Sequence, residues 1–147
     1  MKIAGAHSLA LDQQRAYESL QNPEILARCM PGCDRLELIG DDTYAMRMKM
    51  LIASISGLFE GQIQIADKNP PGSFRLIVEG KGKIGFMKGE GLLTLVPNGG
   101  TTDVNYDGEV HVGGTIASVG QRLMDTTSKM MIKRFFDKLS AEVNGKH

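Results

Sequence analysis

Thr102-Asp103-Val104-Asn105-Tyr106-Asp107-Gly108-Glu109-Val110-His111-Val112, followed by Gly113-Gly114 and Thr115-Ile116-Ala117-Ser118-Val119, contains the change of period that decides the fold. Up to Val112 apolar and polar residues alternate: Val104, Tyr106, Val110 and Val112 fall on one side, Asp103, Asn105, Asp107, Glu109 and His111 on the other. That is the period of a half-buried strand. Beyond the two glycines the spacing becomes helical and stays so to about Val143. Ile116, Val119, Leu123 and Met130 form one stripe, and Met124, Met131, Phe135 and Leu139 a neighbouring one. A helix of ~25 residues measures ~37 Å, long enough to lie across a whole sheet.

Upstream, the same alternation recurs. Residues 43–52 place Tyr44, Met46, Met48 and Met50 on one face and Arg47 and Lys49 on the other. Residues 61–67 and 73–79 alternate likewise, the latter with Phe74, Leu76 and Val78 inward. Residues 35–39 precede the short turn Gly40-Asp41-Asp42, and residues 84–96 form a long strand with a bulge or close approach expected around Gly85, Gly89 and Gly91. Residues 3–10 read as a first strand. Asp12 then caps one short helix, and Asn22 with Pro23 opens a second, which Pro31-Gly32 stops. The resulting class is α+β: a curved antiparallel sheet of about 6–7 strands wrapped on a long C-terminal helix, with two short helices after the first strand.

A chain of 147 residues is expected to be one domain, 1–147. Seventeen basic side chains balance seventeen acidic ones, so no net field draws the chain to nucleic acid. The N-terminus has no apolar signal segment, and no charge-free stretch is long enough to span a bilayer, which leads to an expectation of a cytoplasmic protein. Cys29 and Cys33 are the only cysteines, and His7, His111 and His147 lie far from them, so no metal site is expected and free thiols are.

Catalytic patterns are weak. No G-x-S-x-G occurs, and Gly80-Lys81-Gly82-Lys83-Ile84-Gly85 matches G-x-G-x-x-G by letters but leads into a strand, where a dinucleotide site requires a helix. Asp103, Asp107 and Glu109 lie on the wet face of their strand, as does His111, and Lys129, Lys133, Arg134 and Lys138 lie on the outer face of the long helix. No catalytic residue is assigned.

The interior is the informative part. Nine methionines outnumber the five Phe and three Tyr, and no Trp occurs. The inward set comprises Tyr44, Met46, Met48, Met50, Phe74, Leu76, Val78, Val104, Tyr106 and Val110 from strands, and Leu123, Met130 and Met131 from the helix. Flexible thioether chains suit a surface that repacks around apolar guests, and the Tyr44 and Tyr106 hydroxyls are suited to orient one. A plain methionine-filled core is the competing reading, and spacing alone favours it.

Several segments together resemble the carbon monoxide dehydrogenase G-subunit family, within the helix-grip superfamily of START/Bet v 1-like (SRPBCC) folds. They are Asn22-Pro23-Glu24 with Cys29-Met30-Pro31-Gly32-Cys33; Gly57-Leu58-Phe59-Glu60-Gly61; Pro70-Pro71; Gly80-Lys81-Gly82 with Gly85 and Gly89; Gly100-Thr101; and Val112-Gly113-Gly114-Thr115-Ile116-Ala117-Ser118-Val119-Gly120-Gln121-Arg122-Leu123. Tyr17 departs from the Trp that relatives often carry in the first helix. Beside the resemblance, Gly113-Gly114 supplies backbone freedom at the strand-to-helix switch, and Gly120 is expected to let the helix approach the sheet closely. The resemblance implies an internal apolar cavity holding a quinone-like or lipid-like molecule. It also implies an accessory role in maturation or membrane recruitment of a molybdenum-hydroxylase-type dehydrogenase, with transient, peripheral contact at the inner face of the membrane. The alternatives are an interaction module with a filled core, or an enzyme of the cyclase or hydrolase kind on the same fold.

Overall fold

Period-two patterning produces seven strands, which pair into a single antiparallel sheet. The computed structural model describes residues 1–144; His147, noted above, lies outside them. In chain order the elements are β1 (Lys2–Leu9), α1 (Gln13–Ser19), α2 (Pro23–Cys29), β2 (Cys33–Gly40), β3 (Thr43–Ile52), β4 (Ile55–Asn69), β5 (Ser73–Gly82), β6 (Gly85–Asn98), β7 (Thr101–Gly113), a 3-10 turn (Thr115–Val119) and α3 (Gln121–Asn144). The sheet order is β1-β7-β6-β5-β4-β3-β2. Strands β2 to β7 therefore form a meander, and β1 closes onto the last of them, with His7 opposite Val104 and Ile3 opposite Gly108. This is the helix-grip arrangement, a curved sheet packed against helices that include the long C-terminal one.

Local chemistry sets the ends of the short helices. The Asp12 carboxylate accepts from Arg15 N at 2.8 Å, and the Asn22 side chain accepts from Glu24 N at 3.0 Å with Pro23 at the first position. Each satisfies an amide that a helix start leaves unpaired.

Three expectations from the sequence are corrected. Strand β4 starts at Ile55 rather than at residue 61, because Ile52 pairs with Ile55 around a two-residue turn in which Ala53 takes a φ of 54°. A left-handed alanine gives no signal in the sequence, since such turns ordinarily use Gly, Asn or Asp. Pairing of β6 with both neighbours runs without a register shift through Gly89 and Gly91, so these glycines form no bulge. The helical spacing seen from Thr115 belongs to two pieces. Gly120, at φ 95°, separates the 3-10 turn from α3, and a Cβ there would meet nothing within 4 Å. Gly120 acts as a hinge between helical segments and not as a point of close packing.

Two groups of buried side chains hold the layers together. One, beside α1, gathers Leu9, Tyr17, Leu20, Phe74, Val104, Phe136 and Leu139. The other gathers Met46, Met48, Met50, Ile52, Phe59, Ile63, Ile116 and Met124. Each fully buried Phe or Leu contributes about 1.5–3 kcal/mol through removal of apolar surface from water.

Candidate functional site

The inner face of the sheet carries a run of positions without side chains. On β6, Met87, Gly89, Gly91 and Leu93 alternate inward; on β7, Tyr106, Gly108 and Val110 do so. Register brings these together: Gly91 stands opposite Gly108, Gly89 opposite Val110, and on the other side Val78 and Leu76 of β5 face Gly89 and Gly91. Three missing side chains at adjoining positions leave a depression in the sheet. Across it lie Met131, Ile132, Phe135 and Phe136 of α3, and the space between is a cavity of ≈280 Å³. Met30 and Pro31, from the connection between α2 and β2, also line it.

A second lobe of ≈170 Å³ continues toward the start of α3. It shares Ile3, Met48, Met87, Val110, Met131 and Ile132 with the first, and adds Met50, Ile52, Phe59, Val112, Ile116, Met124, Thr127 and Ser128. The two lobes form one elongated, almost wholly apolar space. Apolar walls with few polar groups are the usual construction of a small-molecule site.

Of the residues expected to bind, Met48, Leu76, Val78, Tyr106 and Met131 line the larger lobe, and Met48, Met50 and Met131 the smaller. Tyr44, Met46, Phe74 and Val104 do face inward and are buried, but they serve the packed clusters at either end and line neither lobe. Leu123 packs against the methionine cluster. Met130 is 41% exposed on the outside of α3. Within α3 it stands one position, about 100° of rotation, from Met131, so it falls beside the inward stripe of Met124, Met131 and Phe135 and turns out to solvent.

Sequence reasoning missed the glycine floor, Met87, and the aromatic pair on α3. It also missed Ile3, which a first strand with few apolar residues hardly advertises. Phe136 stacks on His7 with ring centroids 4.3 Å apart and planes at 13°, and His7 stacks in turn near Tyr106 at 6.0 Å. Burial pushes the His7 imidazole below its usual value, with Asp137 opposing and Lys133 adding to the effect. The Tyr106 hydroxyl is pushed up by burial, with Lys129 opposing. Its oxygen lies over Gly5 of β1, where a Cβ would come within 2.6 Å.

Elsewhere, Cys29 and Cys33 are free thiols, both raised by burial. No group of His, Cys, Asp or Glu among the described residues is arranged to hold a metal ion. No helix among them is long and apolar enough to cross a membrane.

A conserved protein from Geobacillus kaustophilus is 34% identical, with each chain covered almost completely (100% of this one, 97% of that one) and a TM-score of 0.94. A START superfamily protein from Mycobacterium smegmatis has the same fold at 12% identity, TM-score 0.76, with 99% of each chain covered. A protein from Chromobacterium violaceum does so at 17% identity and TM-score 0.71, covering 97% of this chain and 96% of that one. No curated protein matches the chain. The model of the carbon monoxide dehydrogenase G-subunit (CoxG) family matches residues 5–144. Family and fold point to an accessory role in binding a hydrophobic ligand, and the chain belongs to the carbon monoxide dehydrogenase G-subunit family.

Proposed function

We propose that the protein is a non-catalytic carrier that holds a mostly apolar small molecule, quinone-like or lipid-like, between the sheet and α3. The observation that carries this reading is the glycine-floored cavity, ≈280 Å³ in its larger lobe, walled by Leu76, Val78, Met131 and Phe135. Dry apolar cavities of ~150 Å³ already accept a benzene-sized guest. The α3 side chains that close the cavity, Met131, Ile132, Phe135 and Phe136, are all apolar, which favours storage or delivery of an apolar guest. Family membership supports an accessory role beside a carbon monoxide dehydrogenase-type molybdenum hydroxylase, in maturation or membrane recruitment. On this reading the protein is cytoplasmic and meets the inner face of the membrane transiently, to load or unload its guest.

Native mass spectrometry of gently purified protein, followed by organic extraction, tests the proposal. A lipophilic guest is expected on the wild type and absent from Gly89→Leu. A Cβ at Gly89 finds only ordinary contacts, 3.6 Å from Val110 Cγ2, so the larger side chain occupies the cavity rather than the backbone of a neighbour. A wild type that carries no guest and takes up neither quinones nor fatty acids would sink the carrier reading.

A further inference from the structure

Most of the cavity wall is built from strands and α3, but one stretch of the smaller lobe is not. Between β7 and α3, Thr115–Val119 form a short 3-10 turn with a glycine at each end. Gly114 stands at φ 85°, ψ −159° and Gly120 at φ 95°, ψ 157°. That region of backbone space is open in practice to glycine alone. Thr115, Ala117 and Ser118 are exposed, whereas Ile116 is 1% exposed and lines the smaller lobe. The turn therefore separates this lobe from solvent by the depth of one side chain. Outside it, a surface pocket of ≈210 Å³ shares Val110, Val112 and Met124 with the lobe. Ile116 lines the one space and Ala117 the other.

Little holds the turn down. The bonds from Ala117 N to Gly114 O (3.1 Å), Gly120 N to Ala117 O (3.3 Å) and Ser118 Oγ to Thr115 O (2.6 Å) stay within the turn and its two glycines. Among the described residues it makes one hydrogen bond beyond them, from Ile116 N to Ile84 O at 2.8 Å. Resting on the carrier reading, we infer that Thr115–Val119 is a flap that swings on Gly114 and Gly120, lifts Ile116 out of the smaller lobe, and opens the route by which a guest enters and leaves. A Cβ on Gly114 would come within 2.6 Å of Gly85 Cα, so this end stays seated on the sheet, while Gly120 has open space around it. Opening breaks one hydrogen bond and exposes one isoleucine, so the open form is on the order of one molecule in a hundred to one in a thousand.

Deuterium exchange tests the flap without any guest. The Ile116 amide is expected to exchange with protection of about a hundred- to a thousandfold and with little dependence on urea. Ile65, whose amide donates to Asp42 O at the same 2.8 Å, should be freed only by global unfolding, with protection of about five-thousandfold or more. Two glycine variants separate the motions. Gly120→Ala strains the closed flap and should speed Ile116 exchange about tenfold. Gly99→Ala puts the same kind of strain, at φ 58° and with open space around it, into the turn between β6 and β7. It should speed Ile65 but leave Ile116 within about twofold of wild type. Equal acceleration of Ile116 in both variants, or a urea dependence like that of Ile65, overturns the flap. The route has its own readout, stopped-flow release of the neutral fluorophore N-phenyl-1-naphthylamine. Release from Gly120→Ala should be about tenfold faster than from wild type at a Kd within about twofold, because Gly120 lines neither lobe. Faster Ile116 exchange with unchanged release overturns the route and leaves the carrier reading standing. Wild type that takes up no fluorophore removes the carrier reading and the route with it, whatever the exchange shows.

Discussion

Gly91 and Gly108 face each other across β6 and β7 on the side of the sheet turned toward α3, and a Cβ on Gly91 would lie 3.6 Å from Gly108 Cα. The cavity exists because this pair and Gly89 bring no side chains to a layer that Met87, Leu93 and Tyr106 otherwise fill. The three glycines are not equivalent. At Gly89 a methyl group would sit in ordinary contact, whereas at Gly108 it would come within 2.3 Å of Glu90 O, a backbone atom that cannot swing aside. Gly89→Ala is therefore expected to stabilise the fold by about 0.4–1 kcal/mol, by restricting the unfolded chain. Gly108→Ala should destabilise it by more than that amount. Urea denaturation of the two variants checks this, and equal effects would contradict the geometry.

His7 gives the fold a pH dependence of known sign. Burial holds its folded pKa below the ordinary 6.5, against the pull of Asp137. The unfolded chain thus binds a proton that the folded chain resists. This contribution to stability is full above the unfolded value and declines as pH falls through it toward the folded value. Melting temperatures of the wild type measured from about pH 7.5 to 5 should fall more steeply than those of His7→Phe, which keeps the stack on Phe136. Parallel curves for the two proteins would assign the dependence to other groups.

How far the residues speak for themselves differs between the sheet and the site. Met46, Met48 and Met50 alternate with Arg47 and Lys49, and that contrast alone sets the inner face of β3. The cavity is harder to read because it is made of absences: Gly89 and Gly91 look like irregularities in a strand, and only the register with Gly108 shows that they share one floor. The edge pairing of β1 with β7 joins residues about a hundred positions apart, beyond any local pattern. Met130 shows the same limit on the helix, since two apolar stripes run side by side there and only the packing shows that the one through Met124, Met131 and Phe135 faces the sheet.

The thiols provide a probe of local opening. Cys29 is 1% exposed, and its pKa is raised first by burial and next by Glu142. Cys33 is half-buried and also raised by burial, and its thiol donates to Arg35 O at 3.4 Å. Thiolate is the reactive form, so both should alkylate slowly near neutral pH. In Cys33→Ser, iodoacetamide should add nothing to the native protein and one adduct after denaturation. Rapid native labelling of Cys29 would mean that α2 lifts from α3 far more readily than its packing implies.

The grip of α3 on the sheet rests on a few of its side chains, and two of them make the contrast measurable. Leu139 is fully buried among Tyr17, Phe74 and Phe136, whereas Met130 lies outward at 41% exposure. Truncating a leucine in a packed cluster removes its transfer free energy and leaves a void, together about 2–5 kcal/mol. Met130→Ala removes surface that is largely in water already and should change stability by no more than about 0.5 kcal/mol. Neither side chain lines the cavity, so guest uptake by Met130→Ala should equal that of the wild type. Met131→Ala, one position on, widens both lobes and should alter uptake while costing less stability than Leu139→Ala, because Met131 already borders open space. Uptake lost in Met130→Ala and kept in Met131→Ala would place the guest on the outer face of the helix, and the cavity would have to be given up as its seat.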